Sequence, residues 1–359
     1  MRQALAAQTA ASPVPHSRPS LGRGEEEAAV RVLRSGCLAP GAEAAAAATR
    51  LAELSGCAGA ALTSSGTTAL TLALRALGVK PREQVALPSY TCAALLHAVR
   101  AVPALPLVCD IDPETLGLSF EDMDRRARGA LVAAVVVHPF GVPVRVEPFR
   151  ARGIRVIEDC AQSIGAATSG GPVGSRGDLA VFSFAPTKPL TCGGPGGGVA
   201  GASARLLAAV VDLASHDEQT EDRPRVNGLM GDLQAAILRV QMERLEAFRA
   251  RRAEIARRYD EALTPLGVAR RPVPPGSDPL LYRYCVRLRD ADGCLRELNR
   301  RGVVARRPVH RPLHLLLGLQ DPFPHADRAQ REMVSLPLYP ALSDREVERV
   351  IAEVRSCLS

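Results

Sequence analysis

The sequence has no tryptophan, few aromatic residues of any kind and almost no lysine. Aromatic residues make up 3% of the 359 residues, so Ala, Leu and Val must supply most of the core. No uncharged apolar run is long enough to span a bilayer, and we therefore predict no membrane association. The formal charge of +7 is spread along the chain without a basic block, which argues against nucleic acid as a partner.

Cysteine and histidine are present, but not in the patterns of disulfide or metal-binding proteins. The nine cysteines include no CxxC pair. His310 and His314 are four residues apart, but Pro312 between them prevents a continuous helical face. We predict reduced thiols, a cytoplasmic protein and no metal site. Residues 1–20 are rich in Ala, Pro and Ser without an apolar core, which predicts a flexible leader rather than a signal peptide.

Short apolar runs alternate with helical patterns from residue 58 to residue 184. This alternation is typical of a mostly parallel sheet with helices on both faces. We therefore predict an α/β protein with a large domain over 21–250 and a small C-terminal α+β domain over 251–359. Further along, the pattern predicts a helix over 231–263, a Pro-rich break at 271–275, strands over 280–288 and 303–306, and helices over 294–301 and 343–357.

The scarcity of lysine makes the two that are present informative. Of the 45 basic residues, only Lys80 and Lys188 are lysines. A lysine retained where arginine supplies ordinary positive charge is a candidate for imine chemistry, which needs a primary amine that can lose its proton. Lys80 lies between Val79 and Pro81 and is expected in an exposed loop. Lys188 directly follows an apolar strand, so it is the candidate, with a surface lysine as the alternative.

Polar residues at the ends of other predicted strands suit the same cofactor. Asp159 ends an apolar strand, where a carboxylate faces the crevice in which α/β proteins bind ligands. Pyridoxal phosphate needs a carboxylate against its pyridine nitrogen, and a helix N-cap is the competing role. Residues 64–68, Ser-Ser-Gly-Thr-Thr, precede a helix whose first N–H groups suit a phosphate, although capping is common there. The glycine run 193–198 is no P-loop, because no Gly-Lys-Ser/Thr follows it.

Seven segments, taken in order, resemble the DegT/StrS-type family of sugar aminotransferases, and the similarity covers about residues 18–359. The resemblance implies fold type I, with a large mostly parallel sheet domain and a small C-terminal domain. The segments are Ser-Ser-Gly-Thr-Thr-Ala-Leu at 64–70, Pro-Ser-Tyr-Thr at 88–91, Asp-Ile-Asp-Pro at 110–113, Glu-Asp-Cys-Ala-Gln at 158–162, Phe-Ser-Phe-Ala-Pro-Thr-Lys at 182–188, Leu-Gln-Ala-Ala at 233–236 and Ser-Leu-Pro-Leu-Tyr-Pro at 335–340.

The resemblance implies roles for individual positions. Lys188 matches the lysine that binds pyridoxal 5'-phosphate, and Asp159 matches the partner of its pyridine nitrogen. Asn227 matches an asparagine that reaches the cofactor phosphate across a dimer interface, which implies a homodimer with composite active sites. Other cofactor-side positions, including the phosphate cup, are Ser65, Gly66, Thr67, Gln162 and Ser183.

Four positions depart from the family pattern. Cys92 stands where an aromatic residue usually stacks on the cofactor ring. The other departures are Pro189 after the lysine, Pro195 in the glycine run and Leu229 two residues after the asparagine. None of them removes the core chemistry, and Cys92 bears most directly on the acceptor, because a thiol leaves space above the ring.

The resemblance therefore implies transfer of an amino group from an amino acid, with glutamate the expected donor, to a keto sugar that is nucleotide-linked. Relatives that act as dehydratases carry His in place of the lysine, so Lys188 argues against that activity. An aminotransferase for a cyclitol or another ring ketone, and a non-catalytic regulatory relative, stay open as alternatives. Candidate substrate-binding residues are His138, Arg306, Arg307, Arg311 and His314.

Overall fold

A computed structural model describes residues 12–127, 129, 131–217 and 221–358. The helices are α1 (Arg23–Ser35), α2 (Ala42–Ser55), α3 (Gly66–Ala76), α4 (Ala94–Ala101), α5 (Phe120–Arg126), α6 (Glu147–Ala151), α7 (Ala204–Ala214), α8 (Asp232–Glu243), α9 (Leu245–Leu263), α10 (Ala291–Arg300), α11 (Leu313–Leu317), α12 (Pro324–Glu332) and α13 (Asp344–Leu358). The strands are β1 (Gly59–Thr63), β2 (Gln84–Pro88), β3 (Leu105–Cys109), β4 (Leu131–Val137), β5 (Arg155–Asp159), β6 (Ala167–Thr168), β7 (Gly171–Pro172), β8 (Leu179–Ser183), β9 (Gly197–Gly201), β10 (Ser277–Asp278), β11 (Tyr284–Arg287) and β12 (Met333–Leu336).

A seven-stranded sheet in the order β1-β9-β8-β5-β4-β2-β3 forms the centre of the described structure. Strands β2, β3, β4, β5 and β8 pair in parallel, and β9 runs antiparallel to both of its neighbours. Strand β1 consequently points the same way as β8. This arrangement confirms the predicted mostly parallel sheet, and it brings the carboxyl ends of β1, β2, β4, β5 and β8 to one edge.

The sheet is buried because its strands are apolar on both faces. Val135, Val136 and Ile157 are each 0% exposed, as expected for parallel strands covered by helices on both sides. Helix α3 contributes Leu72 and Leu74, also 0% exposed, to the same core. Burial of apolar surface stabilises the folded state by about 25 cal/mol for each Å². The strand ends at the carboxyl edge are therefore anchored in a well-buried core.

Strand β9 begins at the end of the glycine run 193–198, which the sequence leaves unassigned. Its glycines allow close backbone approach: a Cβ built on Gly197 would stand 2.4 Å from the Ser65 carbonyl oxygen and 2.6 Å from the Gly66 nitrogen. Gly197 pairs with Thr63 on one side and with Ser183 on the other. The glycine run therefore serves close packing of a strand against the start of α3.

The C-terminal elements surround a second core. Tyr284 and Val286 of β11 lie there with Leu298 of α10 and Val350 of α13. Helix α9 passes from one core to the other, because Leu245 and Phe248 pack with the large sheet and Ile255 to Leu263 with the second core. The predicted strand over 303–306 is wrong: Val303 and Arg306 form only isolated bridges. The helix predicted over 231–263 is divided into α8 and α9 at Arg244.

The predicted flexible leader over 1–20 needs a correction for the part that the structure describes. Residues 1–11 lie outside the described residues. Val14 is 1% exposed, and its N–H donates to the Gly302 carbonyl at 2.8 Å while its carbonyl accepts from the Val304 N–H at 3.0 Å. These backbone hydrogen bonds and the apolar contact fix the segment on the C-terminal core.

None of the helices in the described ranges is long and apolar enough to cross a membrane.

Candidate active site

A cavity of about 270 Å³ opens at the carboxyl edge of the large sheet. The ends of β1, β5 and β8 meet there, as does the start of α3. The lining includes the predicted residues Ser65, Gly66, Thr67, Cys92, Asp159, Ser183 and Lys188. The sheet topology thus brings together seven positions that span more than a hundred residues of sequence.

The start of α3 and the end of β8 form a tight cradle. Ser65 caps the helix, because its Oγ accepts a hydrogen bond from the Thr68 N–H at 3.0 Å. Gly66 and Thr67 open the first turn, whose N–H groups have no acceptor within a helix. A Cβ built on Gly66 would stand 2.8 Å from the Ser183 Cβ and 3.0 Å from its Oγ. Only glycine leaves room here, and the helix start with its adjacent hydroxyls suits an anion such as phosphate.

Asp159 ends β5 and faces the same cavity. Its Oδ1 accepts a hydrogen bond from the Ala161 N–H at 2.9 Å, and within the described residues its other oxygen accepts none. Burial raises the pKa of Asp159, and the Ala161 N–H and the charge of Lys188 oppose that rise. A buried carboxylate with one free oxygen is stabilised by a protonated N–H group opposite it. The protonated nitrogen of a pyridine ring fits that requirement.

Lys188 lies in the loop that follows β8 and is half-buried. The loop is closed by hydrogen bonds from the Lys188 N–H to the Ala185 carbonyl at 2.9 Å and from the Cys192 N–H to the Phe184 carbonyl at 3.0 Å. The Lys188 Nζ lies 6.0 Å from the centroid of the Tyr282 ring. Lys80, by contrast, is exposed, as predicted.

A second cavity of about 380 Å³ shares Cys92 with the first. Gln162 lines it together with Tyr90, Phe140, His310 and Arg311. Gln162 also fixes a turn, because its Oε1 accepts the Phe140 N–H at 2.8 Å, and Phe140 has a left-handed φ of 58°. Cys92 therefore lines both cavities.

His138 lies behind this edge and does not line the first cavity. It is 1% exposed, its Nδ1 accepts the Val144 N–H at 3.0 Å, and its Nε2 lies 3.0 Å from Glu158. Because Nδ1 accepts a hydrogen bond, the ring proton is on Nε2, which donates a hydrogen bond to the Glu158 carboxylate. Burial pushes the pKa of Glu158 upward, but His138 and the N–H groups of Gly174 and Gly177 hold it below its usual range. Glu158 therefore anchors His138 and the loop before β8, whose Gly174, Arg176 and Gly177 N–H groups it accepts, and local sequence did not predict this role.

The three predicted substrate arginines differ in whether they line a cavity. Arg311 is exposed at the second cavity, whereas exposed Arg306 lines neither. Arg307 forms an ion pair with Asp292 at 2.6 Å and donates to the Arg331 and Met333 carbonyls. These contacts commit its guanidinium elsewhere.

His314 is buried, whereas Asn227 is exposed to solvent. His314 is 3% exposed and lies between Ser89 Oγ, at 2.5 Å, and Asp327, at 3.0 Å. Asn227 is exposed. It lies beside the start of α3, because the Ser64 N–H donates to the carbonyl of the neighbouring Gly228 at 2.7 Å. Its side chain is therefore accessible from outside the subunit.

Comparison with known proteins matches nearly the whole chain. Residues 19–355 match the model of the DegT/DnrJ/EryC1/StrS aminotransferase family. The UDP-N-acetyl-3-dehydro-α-D-glucosamine 3-aminotransferase of Acidithiobacillus ferrooxidans is 32% identical over 319 residues, 86% of each chain. The dTDP-3-amino-3,4,6-trideoxy-α-D-glucose transaminase of Streptomyces venezuelae is 30% identical over 305 residues, 81% of this chain and 80% of the relative. The crystal structure of aminotransferase TlmJ from Streptoalloteichus hindustanus superposes with a TM-score of 0.91 at 33% identity, covering 97% of this chain and 99% of that one.

Proposed function

The chain belongs to the DegT/DnrJ/EryC1/StrS aminotransferase family, and from this membership we propose that it uses pyridoxal phosphate at Lys188 to move an amino group from glutamate to a nucleotide-linked keto sugar. Pyridoxal-phosphate-dependent transamination is the activity for which this family is named. The assignment of the individual site residues rests on the cavity at the carboxyl edge of the sheet.

One observation carries the proposal: a single cavity holds a primary amine, a buried carboxylate and an anion cradle. Lys188 provides the amine, Asp159 the carboxylate, and Gly66 with Ser183 the cradle. Pyridoxal phosphate has an aldehyde, a pyridine nitrogen and a phosphate, so each of its polar groups has a chemically matched residue. A site with the lysine amine but without the cradle or the carboxylate would fit a simple aldehyde equally well.

The chain's own residues divide the work of the reaction. When bound, pyridoxal phosphate supplies a carbonyl that condenses with amines and a ring that accepts electrons from the substrate carbon. Lys188 would hold the group through its Nζ, and the same Nζ, when free, would carry a proton to and from the substrate carbon. Asp159 would pair with the protonated pyridine nitrogen, and its burial would strengthen that pairing by excluding water.

The second cavity supports the acceptor half of the proposal. It shares Cys92 with the first cavity and has an apolar wall of Tyr90 and Phe140, with Arg311 at its exposed side. An apolar wall suits a sugar ring, and an exposed arginine suits a diphosphate. The two curated relatives described above have names that place their reaction at carbon 3 of a nucleotide sugar, so 3-keto nucleotide sugars are the first acceptors to test.

Asn227 supports a homodimer with composite sites. Its side chain is exposed next to the start of α3, where a second subunit could bring it toward a phosphate in the partner's cradle. A single amide contact of this kind adds hydrogen-bond donors without adding charge.

Borohydride reduction followed by mass spectrometry tests the cofactor assignment. Reduction of the pyridoxal-phosphate-loaded protein should fix the cofactor on Lys188 and leave Lys80 unmodified. Because these are the only two lysines, every adduct can be assigned to one site. An adduct on Lys80, or none in cofactor-replete protein, would contradict the proposal.

A substrate assay tests the rest of the function. The loaded protein should convert glutamate to 2-oxoglutarate in the presence of a UDP- or dTDP-linked 3-keto sugar, and the Lys188→Arg variant should not. Turnover of a cyclitol ketone with no turnover of any nucleotide sugar would instead assign the acceptor to the alternative class.

A further inference from the structure

Tyr282 lies just before β11, yet it contacts the loop that carries Lys188. It is 6% exposed, and its Oη donates a hydrogen bond to the Thr187 carbonyl at 2.8 Å. Its own N–H donates to the Phe140 carbonyl at 3.0 Å, and its carbonyl accepts from Arg252 Nη1 at 3.2 Å. All polar groups of Tyr282 are therefore engaged, and the residue joins the lysine loop, the turn after β4 and the C-terminal core.

The Thr187–Lys188 peptide is held on both sides. Its carbonyl accepts the Tyr282 hydroxyl at 2.8 Å, and its N–H donates to the Ala185 carbonyl at 2.9 Å. Fixing both polar groups of one peptide plane fixes the Cα of Lys188 and the direction in which its side chain leaves the backbone. The Nζ lies 6.0 Å from the centroid of the Tyr282 ring, so the same residue bonds the backbone beside Lys188 and lies near its amine.

Arg283 sets the direction of the Tyr282 hydroxyl. Its Nη2 lies 2.9 Å from the Tyr282 Oη, and its guanidinium carbon lies 4.4 Å from the centroid of the ring. A guanidinium has only donors, so Oη must accept from Arg283 and direct its own proton to Thr187. Without Arg283 the hydroxyl could rotate and leave the Thr187 carbonyl without a donor.

His16 holds Arg283 in turn. Arg283 Nη1 donates to His16 Nδ1 at 3.1 Å, so the imidazole carries its proton on Nε2, which lies 2.9 Å from Ser335 Oγ. The imidazole is thus fixed between an arginine on one side and a buried serine on the other. The hydrogen bonds run without a break from the N-terminal segment to the peptide of Lys188.

We propose that Tyr282, oriented by Arg283 and His16, is a positioning residue that sets the backbone of Lys188 for its chemistry. This proposal rests on the proposed function only in assigning Lys188 to the cofactor. The hydrogen bonds that hold the peptide concern the protein alone and can be measured independently of turnover.

Hydrogen exchange of the lysine loop in the Tyr282→Phe variant tests the proposal. The variant keeps the ring and loses the hydroxyl, so amides in residues 184–192 should exchange about fivefold faster, the change expected from loss of one ordinary hydrogen bond. The measurement uses full-length protein with and without added pyridoxal phosphate. Tyr284→Phe is the matched control, because the Tyr284 hydroxyl bonds Asp260 at 2.9 Å in the C-terminal core. Unchanged exchange in Tyr282→Phe, or equal acceleration in Tyr284→Phe, would overturn the proposal.

Steady-state kinetics separate positioning from simple support of the fold. Tyr282→Phe should lower kcat about tenfold or more with little change in KM for either substrate, because a misplaced lysine impairs proton transfer rather than binding. A rise in KM with unchanged kcat would contradict a positioning role. If Tyr282→Phe does not fold, Arg283→Met tests the same hydroxyl, and its 184–192 amides should exchange about twofold faster.

The two proposals fail in different ways. If borohydride leaves no adduct on Lys188 while Tyr282→Phe still accelerates exchange of its loop, the cofactor assignment is wrong and the structural link stands. If the adduct forms on Lys188 and exchange is unchanged, the lysine is catalytic and Tyr282 does not position it.

Discussion

The neutral state of His16 should make the stability of the protein fall as the solution is acidified. Burial, followed by the charges of Arg283 and Arg306, lowers the pKa of His16 to about 3 in the folded chain. An unfolded chain takes up the same proton near the ordinary histidine value of about 6.5. Because the unfolded state binds the proton first, the stabilisation is fully present above about pH 6.5 and is lost progressively between about pH 6.5 and 3.

The size of the effect follows from the two pKa values. Between pH 7 and pH 5 the unfolded imidazole becomes protonated while the folded one does not, so this residue should lower the free energy of unfolding by about 2 kcal/mol. Any folded-state pKa below about 4 gives nearly the same figure, because the folded imidazole is neutral at pH 5 in every such case. His16→Gln retains an amide acceptor and donor but does not titrate.

Urea unfolding at pH 7 and pH 5 measures this contribution. The loss of stability on acidification should be about 2 kcal/mol smaller in His16→Gln than in the parent protein. His97→Gln is the control, because it makes the same substitution at an exposed position on α4. Equal pH dependences in the parent and in His16→Gln would refute the assignment of a neutral, buried imidazole.

Three further predictions concern the cavity. Asp159→Asn should leave cofactor binding largely intact and lower turnover by several orders of magnitude, because an unprotonated pyridine is a poor electron acceptor; near-normal kcat would reduce Asp159 to a structural residue. A mixture of inactive Asn227 and Lys188 variants should regain activity on subunit exchange, and its absence under conditions of proven exchange would argue against shared sites. Cys92→Phe should tighten cofactor retention slightly, by about 0.5–1.5 kcal/mol, and raise KM for the acceptor alone; unchanged KM would place Cys92 outside the acceptor pocket.

The sheet could be predicted because its strands are apolar on both faces and end in polar residues. Asp159 and Lys188 could be predicted to lie near each other for the same reason, since parallel strands that end together bring their following residues to one edge. Strand β9 could not be predicted, because glycine is a poor strand former and Gly197 is required by close approach to the Ser65 backbone, which no local pattern records.

The supporting residues of the site were not predictable from local sequence. Tyr282 lies 95 positions from the Thr187 carbonyl that it holds, and no motif marks it. His138 was expected near the substrate, whereas the structure buries it against Glu158, because a histidine that follows a central strand can face the sheet interior as well as the crevice. Such contacts depend on how elements far apart in the sequence pack together, and no local pattern marks them.

The attachment of the N-terminal segment to the C-terminal core also sets an order of events during synthesis. His16 bonds Ser335 across 319 residues, so the first of the two leaves the ribosome roughly 15 to 60 s before its partner at ordinary elongation rates. Until then Arg283 lacks part of its support, and the Tyr282 hydroxyl that holds the lysine loop is not fixed. A nascent chain with a finished large sheet therefore still has an immature lysine loop, and competence to capture the cofactor firmly should come only after the last quarter of the protein has been translated.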